Sequence, residues 1–444
     1  MAGGTWLSQN KKQPGVYINV ESKKNTPVSV GNRGVVTLCK PLSWGPTGTV
    51  MEINAGDDYT PFIGYDAMAE ESLFLREIFT GTDHTTGAIK VLLYRPETTG
   101  ASAATAMSGE LTITARYNGV KGNDISFMIS ATGEENKFLV ETFVSGVLKD
   151  SQAVTLISEL VDNEWVVFSG TGELVSTAAT MLAGGSDGAV SSATYSDYLN
   201  KIEPYLFNIM IYDGEDITIK NAMASFIKRI RENTGRKCQL VTADVKANSE
   251  AVISVKNGYV LNDGTALSAQ QATWWVGGAQ AGANYNESLV YAMHPNAVDV
   301  NGRLTSAEID KVLSEGQIIF MEEYGSVKIV SDINTLTAHT PEKSVDFSYN
   351  QVIRVLDTIA NDVYKQFSQN FIGKTPNDDI GRGLLKSWIV GYMNEMQANR
   401  AVQNFENEDV QIEAGDDAVS VRVALYVQPV TAIEKIYMTI TLTD

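Results

Sequence analysis

The 444-residue sequence predicts an α+β multidomain protein: an α/β core, an inserted small all-β domain, and a C-terminal helical domain ending in strand arms. Three observations predict it. From Tyr195 onward, continuous apolar stretches alternate with amphipathic ones, as in helices packed on an at least partly parallel sheet. Between Leu111 and Ser169, short strand-like runs are separated by Gly, Asn and Asp turns. Both chain ends alternate apolar and polar residues with period two.

In chain order, Val16, Ile18 and Val20 alternate with Tyr17, Asn19 and Glu21 behind the Pro14-Gly15 opening, which predicts a terminal strand. Val35, Val36, Leu38 and Cys39 form a short strand of the buried kind, and PLSWGPTG (Pro41 to Gly48) is a turn cluster. Asp66 to Phe79 reads as a helix and Ala88 to Tyr94 as a strand. Thr98 to Ser108 has linker composition. The strands expected next are Leu111–Ala115, Ile125–Ser130, Lys137–Val144, Gly146–Thr155 and Trp165–Ser169, and Ser176 to Leu182 (STAATML) suits a short helix. The α/β part follows with a helix at Tyr195–Glu203, a strand at Phe207–Tyr212 and a helix from Ile217 that Gly235 ends. Alternation continues through Gln239–Ala243, Ala251–Tyr259, Ala269–Ala281, Thr305–Ser314 and Ile318–Tyr324. Two long helices, Asn350–Phe371 and Arg382–Gln397, flank GKTPNDDIG. The acidic stretch Glu406–Asp417 then leads to a terminal pair of strands, Val419–Gln428 and Ile436–Leu442. The expected domains are a strand arm at 1–24, an α/β domain at 25–98, the β domain at 99–186, the core at 187–345 and the C-terminal domain at 346–444.

Apolar residues make up 43% of the chain and charged residues 20%, an ordinary globular composition. Lys plus Arg is 34 against 53 Asp plus Glu, a formal net charge of −19 that argues against nucleic acid and anionic membrane surfaces as partners. Cys39 and Cys238 lie far apart, and neither a signal peptide at Met1–Asn10 nor a membrane-spanning apolar run is expected, so both read as free thiols of a cytoplasmically made protein.

A search for chemistry is negative. Gly184-Gly185-Ser186-Asp187-Gly188 matches the G-x-S-x-G pattern, but a nucleophile elbow needs a buried strand before it, and an Ala/Thr-rich stretch stands there. Gly373-Lys374-Thr375 lacks the earlier glycine of a phosphate loop, since Ser368 holds that place. GGAQAG after Trp274 and Trp275 has neither the glycine order nor the acidic partner of a dinucleotide site. His84, His294 and His339 are the only histidines, and none pairs with His or Cys at metal-ligand spacing. No catalytic residue, cofactor or metal site is therefore expected.

The ends are the informative part. Ile436, Met438, Ile440 and Leu442 alternate with Tyr437, Thr439, Thr441 and Thr443 to the last residues. An apolar strand at a chain end carries unpaired N–H and C=O groups that recruit another chain. Strand donation between subunits is the expected role of Val16, Tyr17, Ile18, Asn19 and Val20 and of Ile436, Tyr437, Met438, Thr439, Ile440, Thr441 and Leu442.

PGVYINVES (Pro14 to Ser22), RGVVTLCKPLSWGP (Arg33 to Pro46), NGYVLNDGTALSAQQATWWVGGAQAGANY (Asn257 to Tyr285), Ser348 to Phe371 and VRVALYVQPVTAIEKIYMTITL (Val421 to Leu442) together resemble the tail sheath protein of contractile bacteriophage tails. The likeness is to the shorter sheaths of Gram-positive prophages and phage-tail-like bacteriocins. It runs over almost the whole chain, with residues 99–186 the variable part. The resemblance implies a homopolymer of stacked six-subunit rings around a tail tube, which contracts to drive the tube through the target cell envelope. It implies arms that add strands to neighbouring subunits, an outward-facing β domain, and an inner layer at about 187–413. The implied partners are copies of itself, the tail tube protein, and baseplate and tail-terminator proteins, without nucleic acid and without membrane insertion. The implied place is a virion tail or phage-tail-like particle, assembled in the bacterial host cytoplasm. Another phage structural subunit, or a serine hydrolase using Ser186, are the alternatives.

Overall fold

Two units account for the described residues of this computed structural model, which are 3–4, 16–17, 33–134 and 136–443. In the unit spanning residues 1–32, β1 (Gly3–Gly4) and β2 (Val16–Tyr17) pair in parallel, Gly3 opposite Val16 and Gly4 opposite Tyr17. The expected arm residues Ile18, Asn19 and Val20 lie outside the described residues.

The unit from Arg33 onward begins with β3 (Val35–Cys39), β4 (Val50–Asn54), the short helix α1 (Thr60–Ile63), α2 (Leu73–Phe79) and β5 (Lys90–Tyr94). α2 starts later than the apolar pattern suggests. The Asp66 carboxylate accepts the N–H groups of Met68 and Ala69, holding that stretch in a turn, and a 3-10 turn at Glu70–Ser72 precedes the helix.

Next come the strands of the inserted segment: β6 (Thr105–Ser108), β7 (Leu111–Ala115), β8 (Ile125–Ala131), β9 (Phe138–Val144), β10 (Val147–Val154), β11 (Val166–Ser169) and β12 (Thr177–Met181). They form a four-stranded sheet, β10-β9-β8-β12, and a three-stranded one, β11-β7-β6, with inward residues such as Ile113, Phe127, Ile129 and Val166 sealed between them. Two expectations are corrected here. The stretch read as a linker contains β6, and the stretch read as a short helix is β12, paired antiparallel with β8. Ala and Thr favour different local structure, and pairing with β8 decides between them.

The remaining elements are α3 (Ser192–Ile202), β13 (Ile209–Ile211), α4 (Ile217–Arg229), β14 (Gln239–Ala243), β15 (Val252–Val255), β16 (Gly258–Leu261), α5 (Ala269–Gly282), β17 (Ala297–Asn301), α6 (Ser306–Ser314), β18 (Gln317–Ile318), β19 (Phe320–Glu323), β20 (Ser326–Ile329), α7 (Asn350–Gln366), α8 (Asp379–Ala398), β21 (Val410–Ala414) and β22 (Val421–Leu425). Strands from both sides of the insertion share one seven-stranded sheet, β18-β15-β14-β13-β3-β5-β4, parallel throughout except for the edge strand β4.

This sheet is buried on both faces, which explains its continuous apolar runs. Val36, Leu38, Val91, Leu93, Ile209 and Ile211 share a core with α2 and α5 through Phe74, Ile78 and Trp275. The alternate positions, Cys39, Leu92, Tyr94 and Met210, pack with Tyr198, Ile202, Met223 and Ile227 of α3 and α4. Gly235 ends the α4 region in a left-handed conformation (φ 75°) that a glycine adopts without a side-chain clash. A π turn at Phe367–Phe371 extends α7, and Asp378 caps α8 by accepting the Gly381 N–H at 2.8 Å.

Candidate assembly surface

β21 and β22 pair antiparallel from Val410 opposite Leu425 to Ala414 opposite Val421. The acidic segment is thus half of a hairpin, and the strand expected to pair with Ile436–Leu442 pairs with it instead. Proximity in sequence favours this register: Gly415 closes the turn by donating its N–H to Ser420 O at 2.9 Å, and a Cβ there would collide with the Ser420 side chain. Among the described residues no other strand joins this two-stranded ribbon. Val410 is buried, whereas Val423 is exposed.

After β22 the chain is fixed stepwise. The Tyr426 N–H donates to Asp409 O (3.0 Å), Gln403 N–H to Gln428 O (2.9 Å) and Val430 N–H to Ala401 O (2.9 Å), with Val402 bridging Pro429. Among the described residues the last such hold is the Ala432 N–H on Gln351 Oε1, 3.0 Å, in the first turn of α7. Residues 433–443 are exposed and carry no assigned strand. Ile436 is 83% exposed, Tyr437 92% and Leu442 94%. Met438 and Ile440 are exposed likewise, and Thr439 and Thr441 lie in the same extension.

α7 is seated by buried charge. Arg231 grips Asp357 with its two terminal nitrogens, Nη1 and Nη2, at 2.6 and 2.8 Å, and Nη1 also donates to Cys238 O. Tyr392 of α8 donates to Asp362 of α7 at 2.9 Å, and burial with the nearby carboxylate pushes the phenol up.

The residues weighed for chemistry are dispersed. Ser186 Oγ donates to Gly100 O (3.0 Å) and meets Ser102 Oγ (2.9 Å), fastening the two chain passages between the β module and the body. His84 contacts Asp83 and Ser288, His339 contacts Ser348, and His294 is buried against Glu77 at 2.9 Å. Because His294 Nδ1 accepts the Asn296 N–H, its Nε2 carries the proton donated to Glu77. Cys39 and Cys238 are unpaired and buried, and burial pushes the Cys238 thiol up to about 12. Among the described residues no group of three or more His, Cys, Asp or Glu could hold a metal ion, and no helix is long and apolar enough to cross a membrane. A cleft beside Trp44, lined by Thr60, Pro61, Arg116, Tyr117 and Glu164, marks the seam between module and body.

Four domain families match in tandem: the tail sheath protein Gp18 domain III N-terminal region at residues 33–95, the phage tail sheath protein beta-sandwich domain at 98–187, the central domain at 188–335 and the C-terminal domain at 342–443. The crystal structure of a sheath tail protein from Desulfitobacterium hafniense is 41% identical, with a TM-score of 0.85 over 96% of this chain and 99% of that one. The chain belongs to the phage tail sheath proteins. The sheath subunit is also 33% identical to the phage-like element PBSX protein XkdK of Bacillus subtilis over 99% of each chain. Its fold is shared with the contracted helical sheath of the anti-feeding prophage, at 13% identity and TM-score 0.56 over 97% of this chain and 99% of that one. It is a structural subunit of a contractile tail sheath. The signal that could have located the ribbon in advance is the V-Q-I-E-A alternation at 410–414 followed by Gly415-Asp416-Asp417.

Proposed function

We propose that the sheath subunit polymerises as stacked six-subunit rings around a tail tube, linked by its terminal strands, and that the lattice contracts to drive the tube through a cell envelope. The observation that carries this reading is the apolar, period-two stretch Ile436 to Leu442, whose apolar side chains are exposed among the described residues. Extended at about 3.3 Å per residue, 433–443 reaches about 36 Å, enough to cross a subunit boundary.

The ribbon of β21 and β22 is the acceptor this reading favours. A two-stranded ribbon is marginal in water and leaves edge N–H and C=O groups unpaired. An arm added at that edge gains several hydrogen bonds, each stabilising by about 0.5–1.5 kcal/mol net, and covers its apolar face. Val16, Tyr17, Ile18, Asn19 and Val20 supply the second donated strand. Contraction then needs no nucleotide, because many subunits each changing packing by a few kcal/mol release substantial work together.

In this reading the β module at about 99–186 faces outward, and the body with its C-terminal domain faces the tube. The partners are further copies, the tube protein, and baseplate and tail-terminator proteins, with assembly in the host cytoplasm. Negative-stain microscopy of the purified protein tests it. Wide striated hollow cylinders are expected, and a protein that stays monomeric at every concentration would overturn it.

A further inference from the structure

We propose that the buried cluster of Gln280, Asp332 and Arg354 is a shared anchor that positions the roots of both terminal arms, an inference that rests on the arms acting as inter-subunit strands. Asp332 and Arg354 are each 1% exposed. Arg354, in α7, donates to Asp332 Oδ2 (2.9 Å), to Glu287 O (2.8 Å) and to Gln280 Oε1. Gln280 Nε2 returns to Asp332 Oδ1 at 2.6 Å, where Asn350 Nδ2 also donates at 2.9 Å. The Leu289 N–H, at 3.2 Å from Oδ2, completes the shell. Both carboxylate oxygens are therefore fully engaged, and none of these groups can shift without leaving another buried and unsatisfied.

Both roots are held beside this cluster. On the N-terminal side, Arg33 donates to Gln280 O at 3.2 Å, while Asn208 Oδ1 accepts the N–H groups of Gly34 and Val35 at 2.9 and 3.0 Å. Burial and the like charge of Arg354 both work against the charged form of Arg33. On the C-terminal side, Ala432 is held by Gln351, the residue after Asn350. Partial burial of its carboxyl and the Asp332 charge push Glu434 upward, so the first residues of the extension stay near the cluster, while the apolar side chains from Ile436 onward are exposed. Each root is held by a residue that belongs to the cluster or directly follows one of its carboxylate's donors, Gln280 for Arg33 and Gln351, after Asn350, for Ala432.

The test is hydrogen exchange on the unpolymerised full-length subunit carrying D332N and R354M together, which removes both charges so that neither is left unpaired in the core. Exchange is expected to rise about tenfold or more at the Gly34 and Val35 amides and also at Val430 and Ala432, with the β7 to β9 amides unchanged. A rise at one root only, or at neither, overturns the anchor. If the double variant does not fold, Gln280→Met removes both side-chain bonds of Gln280 and is read by the same criterion. Because exchange is measured before polymerisation, its failure leaves the strand-donation reading to be judged separately by truncating the arms.

Discussion

Trp44 sits in the loop after β3, yet its side chain, 1% exposed, lies in the core of the β module. It stacks on Trp165 with centroids 5.0 Å apart and receives Tyr117 edge-on at 5.3 Å. Arg95 reinforces the joint, donating from Nε to Leu42 O (2.8 Å) and from Nη2 to Asn118 O (2.7 Å). Behind the indole is Gly64, at φ +80°, where a Cβ would lie 2.6 Å from the ring. Trp44→Ala is expected to cost about 3–5 kcal/mol, because it empties a filled site between two domains. Urea denaturation followed by far-UV circular dichroism checks this, and a loss below about 1 kcal/mol would show that Trp44 does not bind module to body. In the sequence Trp44 is a residue within a turn-rich cluster. That reading is right about the backbone and silent about the side chain, because periodicity reports local structure and not which distant strand a loop residue meets.

The elements read best from sequence are those whose periodicity and tertiary setting agree. The inner strands β3, β5, β13 and β14 carry apolar runs, and α7 and α8 carry amphipathic ones, so these were legible to within a few residues, whereas the edge strand β4, with Glu52 exposed between Met51 and Ile53, was not read. β12 and β21 were not, since Ala/Thr and acidic residues are poor strand formers that neighbouring strands recruit. Buried charge was equally invisible: nothing in the sequence pairs Arg231 with Asp357 across the intervening chain. That pair ties the α4 region to α7, and Asp357→Ala strands a buried guanidinium. A loss of about 3–5 kcal/mol is expected, seen as a lowered denaturation midpoint. At the surface, Arg229 bonds Glu203 at 2.9 and 2.7 Å, joining α3 to α4, and this holds the Glu203 carboxyl below its ordinary value. A depressed carboxyl contributes stability that is present above its unfolded pKa and lost as pH falls through the folded one. Glu203→Gln should therefore lower stability slightly at neutral pH, leave it unchanged once the carboxyl is protonated below about pH 3, and so flatten the acid limb of the stability curve in thermal melts.

At the scale of the whole molecule, body, module and arms make separable demands. Deleting residues 101–184 behind a short linker removes the module but bares Trp44, an indole now 1% exposed. The deletion alone is therefore expected to aggregate, and the deletion combined with Trp44→Ser to form tubes, if the module lies outside the lattice contacts. Failure of the combined variant to polymerise would place the module among those contacts. Truncation after Ile433 makes the opposite demand. The residues it removes are exposed, and the last backbone hold, Ala432 on Gln351, is kept. The melting temperature of the truncated subunit should stay within about 2 °C of the full chain, since little apolar area is uncovered within the monomer. Polymerisation should be lost, because the donated strand is the part removed. Tubes of normal length from a subunit that melts normally would mean that the lattice is held by contacts between bodies. A subunit that melts much lower would mean that the extension folds back on its own chain.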